Sequence, residues 1–279
     1  MGGMVTYSYG NMPNKRFKRD SQRAAFLLCV GLCGYGVMRK LGSGVGCPLS
    51  GRYILGGDME AFELPNMARA ILKYLLDDHG EVIYSSADTL KKGDIYLLGL
   101  NPGGCGFITI KEHIETMLSK TKNSYLDEAW PNANPIYDEG CAPLQRRVRW
   151  LLEEIGYDVR DVCSSNLIFT TSRSSKELCF GLAGTCWAFH ECVLEIVQPK
   201  LIITFGNSET SASPYFFLKS LLKGEEESIP SGHGGWVCKS FTTKINNRIT
   251  CVIGLPHLSY YNPEGKMEVV NWLKGKLRI

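Results

Sequence analysis

Three polar residues stand where predicted strands end, and their side chains could carry chemistry. Asn101 follows one apolar run, His257 follows the last one, and Asn166 lies within a third. The amide oxygen of Asn101 could orient a water molecule, although an amide cannot take up its proton near neutral pH. A neutral His257 could donate an N–H to developing negative charge, and Asn166 offers a ligand both donors and an acceptor. These residue types suit a hydrolysis in which hydrogen bonds stabilise the leaving group.

Each of the three residues also has a purely structural interpretation. The Gly/Pro-rich turn around Asn101 could simply connect a strand to a helix. His257 could be a hydrogen-bonded structural residue at a strand end. Asn166, in a strand where Asn is disfavoured, could be tied to a neighbouring loop. Taken singly, the residues leave both interpretations open.

The hydrophobic pattern from residue 64 onward alternates helices with short apolar strands, which is typical of a parallel sheet covered by helices. We predict helices that begin at Pro65, at Pro143 and after Pro263, and another near residues 187–197. The predicted strands are 94–99, 162–169, 201–206 and 249–255. The expected fold class is therefore α/β, with three layers and a central four-stranded parallel sheet flanked by helices.

This fold decides where the polar residues should lie. In open α/β sheets the ligand crevice lies beyond the carboxyl ends of the strands. Asn101, Asn166 and His257 all follow or end strands, so they should converge in space although they are far apart in the chain.

Length and composition are those of an ordinary folded domain. The chain has 279 residues, of which 44% are hydrophobic, and a net charge of +3. The first 58 residues hold 8 Lys or Arg against 2 acidic residues, so we expect 1–58 to be a basic, poorly structured N-terminal extension. The expected functional domain, 59–279, holds slightly more acidic than basic residues. Any phosphate contact must therefore come from a local patch.

The cysteines and one apolar segment indicate the expected cofactors and location. The 11 cysteines are scattered without a C-x-x-C pair, which is typical of reduced thiols in a cytoplasmic protein. We expect no metal and no other cofactor. Residues 24–38 form an apolar segment of about 15 residues, shorter than the ~20 that a membrane span needs. A membrane anchor or signal peptide is the alternative to a simple extension. We expect a monomer that does not associate with membranes.

Together, the three motifs resemble those of the uracil-DNA glycosylase superfamily over about residues 64–277. The Gly-x-Asn-Pro-Gly run at 99–103 looks like the water-positioning motif of the mismatch-specific and single-strand-selective branches. The His-x-Ser run at 257–259 is similar to the superfamily's His-Pro-Ser-Pro loop, with Leu258 and Tyr260 in place of the two prolines. The strand that carries Asn166 resembles the one whose Asn reads the base.

The resemblance implies a uracil-DNA glycosylase-like fold and a monofunctional DNA glycosylase. Such an enzyme flips a pyrimidine out of single- or double-stranded DNA, hydrolyses its N-glycosidic bond and leaves an abasic site. Asn101 would position the water, His257 would stabilise charge on the pyrimidine O2, and Asn166 would read the base. No Lys stands at a matched position to form a Schiff base. The Cys quartet of the iron–sulfur branches is not carried by this sequence.

The resemblance also assigns further contacts with the base and the DNA. Gly103 and Gly104 border the base, and either Phe107 or Tyr137 stacks on it. Tyr261 occupies the wedge position that fills the hole left by the flipped base, although its ring could equally pack on the last helix. The expected DNA-binding residues are Ser172, Arg173, Ser174, Lys176, Ser259 and Tyr261. Three arginines of the second helix, Arg146, Arg147 and Arg149, are more simply explained as a solvated face.

The residue at position 103 bears on the substrate. The strictly uracil-specific branch has a Tyr there, which rejects a 5-methyl group, whereas this sequence has Gly103. We therefore expect a pocket that accepts uracil or a 5-modified pyrimidine, in DNA repair or in restriction of phage DNA with modified cytosine. The alternatives are a catalytically silent DNA-binding member of the same fold and a nucleotide or nucleoside hydrolase.

Overall fold

The computed structural model describes residues 59–104, 106–130, 137–174 and 176–278. All of them fall in one compact unit. The N-terminal extension expected at residues 1–58 lies outside the described residues.

A six-stranded mixed sheet forms the centre of the molecule, in the order β2-β1-β3-β6-β5-β4. Strands β2, β1, β3 and β6 are parallel, whereas β5 and β4 continue the sheet in antiparallel fashion. The strands are β1 (Ile95–Gly99), β2 (Cys163–Asn166), β3 (Leu201–Phe205), β4 (Glu226–Pro230), β5 (Val237–Ile245) and β6 (Arg248–Leu255). The α/β class is confirmed, but the sheet contains two strands more than the four that the sequence predicts.

The two additional strands form a hairpin whose sequence does not read as apolar. β4 has the sequence Glu-Glu-Ser-Ile-Pro, and four of its five residues are exposed. The turn from β5 to β6 is Asn246-Asn247, with φ of 49° and 63°. Asn tolerates this left-handed conformation, which tight hairpin turns require, so the turn is the sequence signal that β5 pairs with β6.

In the part of the chain that the structure describes, six α-helices flank the sheet. They are α1 (Leu64–Ile71), α2 (Ile110–Thr116), α3 (Pro143–Ile155), α4 (Ala183–Val197), α5 (Pro214–Leu221) and α6 (Met267–Lys276). Proline in the first turn begins α1, α3 and α5, where its missing N–H costs no hydrogen bond. Gly156, with φ of 94°, ends α3 as the sequence predicts. Helix α1 ends at Ile71, and the residues after it form turns, with a hydrogen bond from Leu75 N to Leu72 O.

Helices lie on both faces of the sheet. Successive residues of each strand point to opposite faces, and residues on both faces of β1, β2 and β3 are buried. Ile95 and Leu97 of β1 pack in a core cluster with residues of α3 and α6. Tyr96, between them, donates its hydroxyl hydrogen bond to His190 of α4 on the other face. The parallel strands β1, β2 and β3 are buried along their whole length.

The helical segment Phe180–Val197 is, among the described residues, the one that meets the length and hydropathy criteria for a membrane span. It consists of a short 3-10 turn and α4, and ten residues of α4 are buried inside the protein. The same apolar character is therefore accounted for by packing against the sheet.

Candidate active site

The residues singled out in the sequence lie along the carboxyl ends of the four parallel strands. Asn166 is the last residue of β2 and pairs with Gly99, the last residue of β1. Asn101 follows β1 by two residues, and His257 follows β6 by two residues. Strand β3 lies between β1 and β6, so the two asparagines form one side of the edge and His257 the other.

The loops after β1 and β2 continue to pair beyond the ends of their strands. The N–H groups of Leu167 and Ile168 donate to the carbonyls of Gly99 and Leu100, at 2.9 and 3.0 Å. Two further bonds follow at residues 102–104, where Gly104 N donates to Ser172 O at 3.1 Å and Ser172 N donates to Pro102 O at 3.2 Å. The backbone around Asn101 is therefore fixed by the neighbouring loop.

The side chain of Asn101 is oriented by its amide nitrogen. Nδ2 donates to Pro102 O at 2.8 Å and to Ser172 Oγ at 2.9 Å, with a longer contact to Thr170 O at 3.4 Å. Two of these partners are carbonyls, which can only accept, so the nitrogen must face them. The amide oxygen accepts no hydrogen bond from the described residues and is left to accept one from water.

Asn166 is buried, with 5% of its surface exposed, yet its side-chain nitrogen has no hydrogen-bond partner among the described residues. Its oxygen lies against Gly99, where a Cβ atom would stand only 2.1 Å from Oδ1. Only glycine at position 99 leaves room for this side chain. A buried amide nitrogen without a partner costs about 1–3 kcal/mol, which a ligand with a matching acceptor would recover.

A buried histidine, His190, bonds to the backbone carbonyl of Asn166. His190 Nε2 lies 3.0 Å from the Asn166 carbonyl and its Nδ1 lies 2.8 Å from the Tyr96 hydroxyl. Because a carbonyl can only accept, Nε2 carries the proton and Nδ1 accepts from Tyr96. Burial lowers the pKa of His190 to about 4, so the ring is neutral near pH 7.

Tyr84 lies close to the Asn166 side chain. Burial raises the pKa of Tyr84 well above its usual value, while an interaction with Asn166 acts in the opposite direction. That interaction falls short of a hydrogen bond to the amide nitrogen, which remains without a partner. The Tyr84 ring packs against the rings of Tyr125 and Trp130.

His257 is held as a neutral hydrogen-bond donor. Its Nδ1 accepts the backbone N–H of Ser259 at 3.2 Å, so the ring proton resides on Nε2. Burial lowers the pKa of His257, which favours the neutral ring. No described residue bonds to Nε2. The arrangement can therefore donate one N–H to negative charge without proton transfer.

Two residues that the sequence analysis did not assign to the site lie next to the His257 loop. Arg147 of α3 donates from its guanidinium to the carbonyl of Leu258, at 2.6 Å. Gly206, directly after β3, stands where a Cβ atom would be 3.7 Å from His257 Cδ2. The explanation of Arg147 as a solvated residue is therefore wrong, because its head group is bonded to the loop that carries His257.

Burial corrects the prediction for Tyr261. Its ring is fully buried in the core cluster with residues of α6, and its hydroxyl donates to Ser231 O at 2.8 Å. As placed, Tyr261 cannot contact DNA, and the wedge assignment is wrong for this residue. The adjacent Tyr260 is 76% exposed, and its ring centroid lies 5.9 Å from that of His257.

The remaining predicted DNA contacts lie at or near the surface. Phe107 is 90% exposed in the loop before α2, and Tyr137 is half-buried. The exposed residues of the predicted phosphate contacts are Arg173, Ser174, Lys176 and Ser259. Ser172 is half-buried, and its hydroxyl accepts from Asn101 and donates to Ser174 O. Its hydroxyl is therefore already used to position Asn101.

The loop after Asn101 leaves open space. A Cβ atom built at Gly103 or Gly104 would meet nothing within 4 Å. Gly104 also has φ of 89°, a conformation that L side chains rarely adopt, whereas Gly103 has no such strain. A side chain can therefore be added at position 103 more easily than at 104.

A cavity and a group of metal-binding side chains are two further features that can mark a functional site. A small cavity is lined by residues that include Leu194, Pro199 and Arg248, at the opposite edge where β6 begins. Among the residues that the structure describes, no group of three or more His, Cys, Asp or Glu side chains could hold a metal ion.

Comparisons with models of protein families and with curated proteins find no match for this sequence.

Proposed function

We propose that this chain is a monofunctional DNA glycosylase of the uracil-DNA glycosylase type, which hydrolyses the bond between a flipped pyrimidine and its sugar. The strands β2, β1, β3 and β6 would correspond to the four-stranded parallel sheet of that superfamily, with the β4–β5 hairpin as an addition. The proposal rests on the residues at the carboxyl edge of this sheet.

Each polar group at this edge suits one part of the reaction. Cleavage leaves negative charge on the departing base, and His257 Nε2–H would stabilise that charge on O2. The amide oxygen of Asn101 would orient the attacking water. The Asn166 side chain would bind the Watson–Crick edge of the base, with its unpartnered nitrogen as a donor. Water is the nucleophile, and an abasic site is the product.

The observation that carries the proposal is the state of the Asn166 and His257 side chains. A purely structural Asn would have its buried nitrogen bonded, and a purely structural His would use both ring nitrogens. Here each side chain keeps one donor without a partner among the described residues. Two such donors at the end of one sheet suit a ligand with two acceptors, such as a pyrimidine.

The substrate proposed from Gly103 is a pyrimidine with a substituent at C5. The open space around Gly103 and Gly104 supports this proposal, since among the described residues nothing stands within 4 Å of a Cβ atom built at either glycine. The Asn166 amide suits both uracil-type and cytosine-type bases. Excision of uracil or 5-hydroxymethyluracil would serve repair, whereas excision of glucosylated 5-hydroxymethylcytosine would serve defence against phage.

The test is base release from matched oligonucleotides that contain uracil, 5-hydroxymethyluracil, 5-hydroxymethylcytosine or its glucosylated form. We expect the wild-type chain to release a 5-substituted base, and Gly103→Tyr to lose that activity while any release of uracil persists. Gly103→Ala, which fits the open space, is the matched control. Activity on uracil alone that Gly103→Tyr leaves unchanged would contradict the proposed substrate. Release from free nucleotides but not from oligonucleotides would favour a nucleotide hydrolase, and no release from any substrate would favour a DNA-binding protein.

A further inference from the structure

The connection between β4 and β5 brings a second group of aromatic side chains to the edge that carries His257. Strand β5 runs antiparallel to β6, with Lys239 opposite Gly254, so β5 begins where β6 ends. Residues 231–236 join β4 to β5 and therefore lie beyond the carboxyl end of β6, as His257 does. We call residues 231–236 the aromatic tip.

The aromatic tip has a defined shape. Ser231 N donates to Trp236 O at 2.9 Å, and Trp236 N donates to His233 O at 3.1 Å. His233 N donates to Ser231 Oγ at 3.2 Å. Gly232 and Gly234 adopt φ of 71° and 54°, which lets the chain turn this tightly. The backbone bonds fix the tip while Trp236 stays 43% exposed.

The tip is attached directly to the His257 loop. Tyr261 donates its hydroxyl hydrogen bond to Ser231 O, and the ring of His233 stands 6.4 Å from that of Tyr261. His233 also packs on Trp236, with ring centroids 4.7 Å apart. Tyr261 therefore separates two exposed aromatic groups, Tyr260 on the His257 loop and the ring pair of the tip.

The chemistry of the tip matches that of unpaired nucleotides. Its six residues include no carboxylate. The side chain of Lys266 lies over Gly232, where a Cβ atom would be 3.0 Å from Lys266 Cδ, and its ammonium makes no ion pair within the described part of the chain. Exposed rings and a cation near the same loop are a combination that binds single-stranded nucleic acid, because the base stacks while the phosphate is attracted.

We infer that the aromatic tip is a stacking platform for an unpaired DNA base beside the flipped nucleotide. The inference builds on the proposed function, which supplies the DNA at this edge. Stacking on Trp236 requires a free base face, and inside a duplex both faces of a base are covered by its neighbours. The platform therefore favours single-stranded DNA over perfect duplex.

The test measures DNA binding with an oligonucleotide that contains no excisable base. Fluorescence anisotropy gives the Kd of the full chain for a labelled oligodeoxyadenosine strand, alone and annealed to a complement of 2′-fluoro-arabinothymidines, whose N-glycosidic bonds resist hydrolysis. We expect Trp236→Ala to weaken binding of the single strand about ten- to a hundredfold and to weaken duplex binding much less. Trp236→Phe, which keeps an aromatic ring, should recover most of the affinity. Ile249→Ala, an exposed residue at the other end of β6, is the matched control and should bind like wild type.

Three results would overturn the inference: no binding of the single strand by wild type, equal Kd values for wild type and Trp236→Ala, or an equal loss for single strand and duplex. Because the probe has no excisable base, these results are independent of catalysis. A Trp236-dependent Kd in a chain that releases no base from any substrate would remove the proposed function and leave the platform in place. Base release by a chain whose Kd does not depend on Trp236 would remove the platform and leave the proposed function in place.

Discussion

The parallel strands and the antiparallel hairpin present their side chains in opposite ways. Every residue of β1, β2 and β3 is buried, whereas four of the five residues of β4 are exposed. Where the parallel strands end, Asn101 and His257 are fixed by several hydrogen bonds each. Where the hairpin turns, the tip exposes rings on a bonded backbone. The parallel part can thus hold single atoms in place for chemistry, and the hairpin can offer broad contact surface.

The largest effect is expected from removing the fixed donor of the parallel part. His257→Ala should lower the single-turnover rate of base release by about 10²–10³, because the departing base loses one oriented N–H. Asn101→Ala should also cause a large loss. The unfolding free energy should change little in either variant, since both residues lie at strand ends outside the core. Unchanged rates in both variants would show that the chemistry lies elsewhere.

Replacement of Asn101 by Asp sharpens the same test. The Asn101 nitrogen donates to Pro102 O and approaches Thr170 O, and an Asp oxygen in its place would face two carbonyls and repel both. We therefore expect Asn101→Asp not to raise the rate of base release above that of wild type, although Asp is the stronger base. A rate above that of wild type would mean that the loop can adopt another arrangement around position 101.

Two glycines, Gly99 at the end of β1 and Gly103 in the loop that follows, should differ clearly in their response to a methyl group. In Gly99→Ala the new Cβ would overlap Asn166 Oδ1, so we expect a loss of about 1–3 kcal/mol in unfolding free energy. Base release should fall as well, because Asn166 is displaced. In Gly103→Ala the methyl enters open space, and the unfolding free energy should stay within about 0.5 kcal/mol of wild type. Urea denaturation compares the two, and equal values would contradict the close packing of Asn166 on Gly99.

A smaller and pH-dependent effect is expected from buried histidines around the parallel strands. Burial lowers the pKa of His190 to about 4 and that of His113 to about 3, whereas an unfolded histidine titrates near 6.5. The unfolded state therefore binds protons first, so stability is full above about pH 6.5 and falls as the pH is lowered, by up to about 1.4 kcal/mol per pH unit for each ring.

Urea titrations at neutral and mildly acidic pH measure this slope. His190→Gln should make it shallower, because one of the buried rings no longer takes up a proton on unfolding. Ile249→Ala, an exposed substitution that removes no titrating group, is the control and should leave the slope as in wild type. If both variants lose stability toward acid as steeply as wild type, burial of His190 does not govern the acid response.

The four parallel strands and helix α3 could be predicted because they are buried. Strands covered on both faces read as continuous apolar runs, and Pro143 and Gly156 mark the ends of α3 in the sequence itself. The β4–β5 hairpin was not predicted from the sequence, because β4 is polar and forms a strand only by pairing with β5. The Asn246-Asn247 turn signals only the pairing of β5 with β6.

Within the site, residue types were predictable but contacts between distant segments were not. The spacing of Asn101, Asn166 and His257 indicated the common edge, since strand ends follow from the apolar pattern. The support of Leu258 by Arg147 joins residues 111 positions apart, and no periodicity reveals such a bond. The burial of Tyr261 rather than Tyr260 depends on how the loop turns after His257, which adjacent tyrosines in a sequence cannot disclose.

That turn has an evolutionary consequence. Positions 260 and 261 are neighbours, yet one side chain is 76% exposed and the other is fully buried. Selection can therefore vary position 260 at little cost to folding, because surface substitutions rarely change stability by more than about 0.5 kcal/mol. Position 261 must stay a large ring with a hydroxyl group, because the core and the Ser231 carbonyl depend on it. If the proposed function holds, directed evolution of DNA preference can accordingly diversify residue 260 while it keeps residue 261 constant.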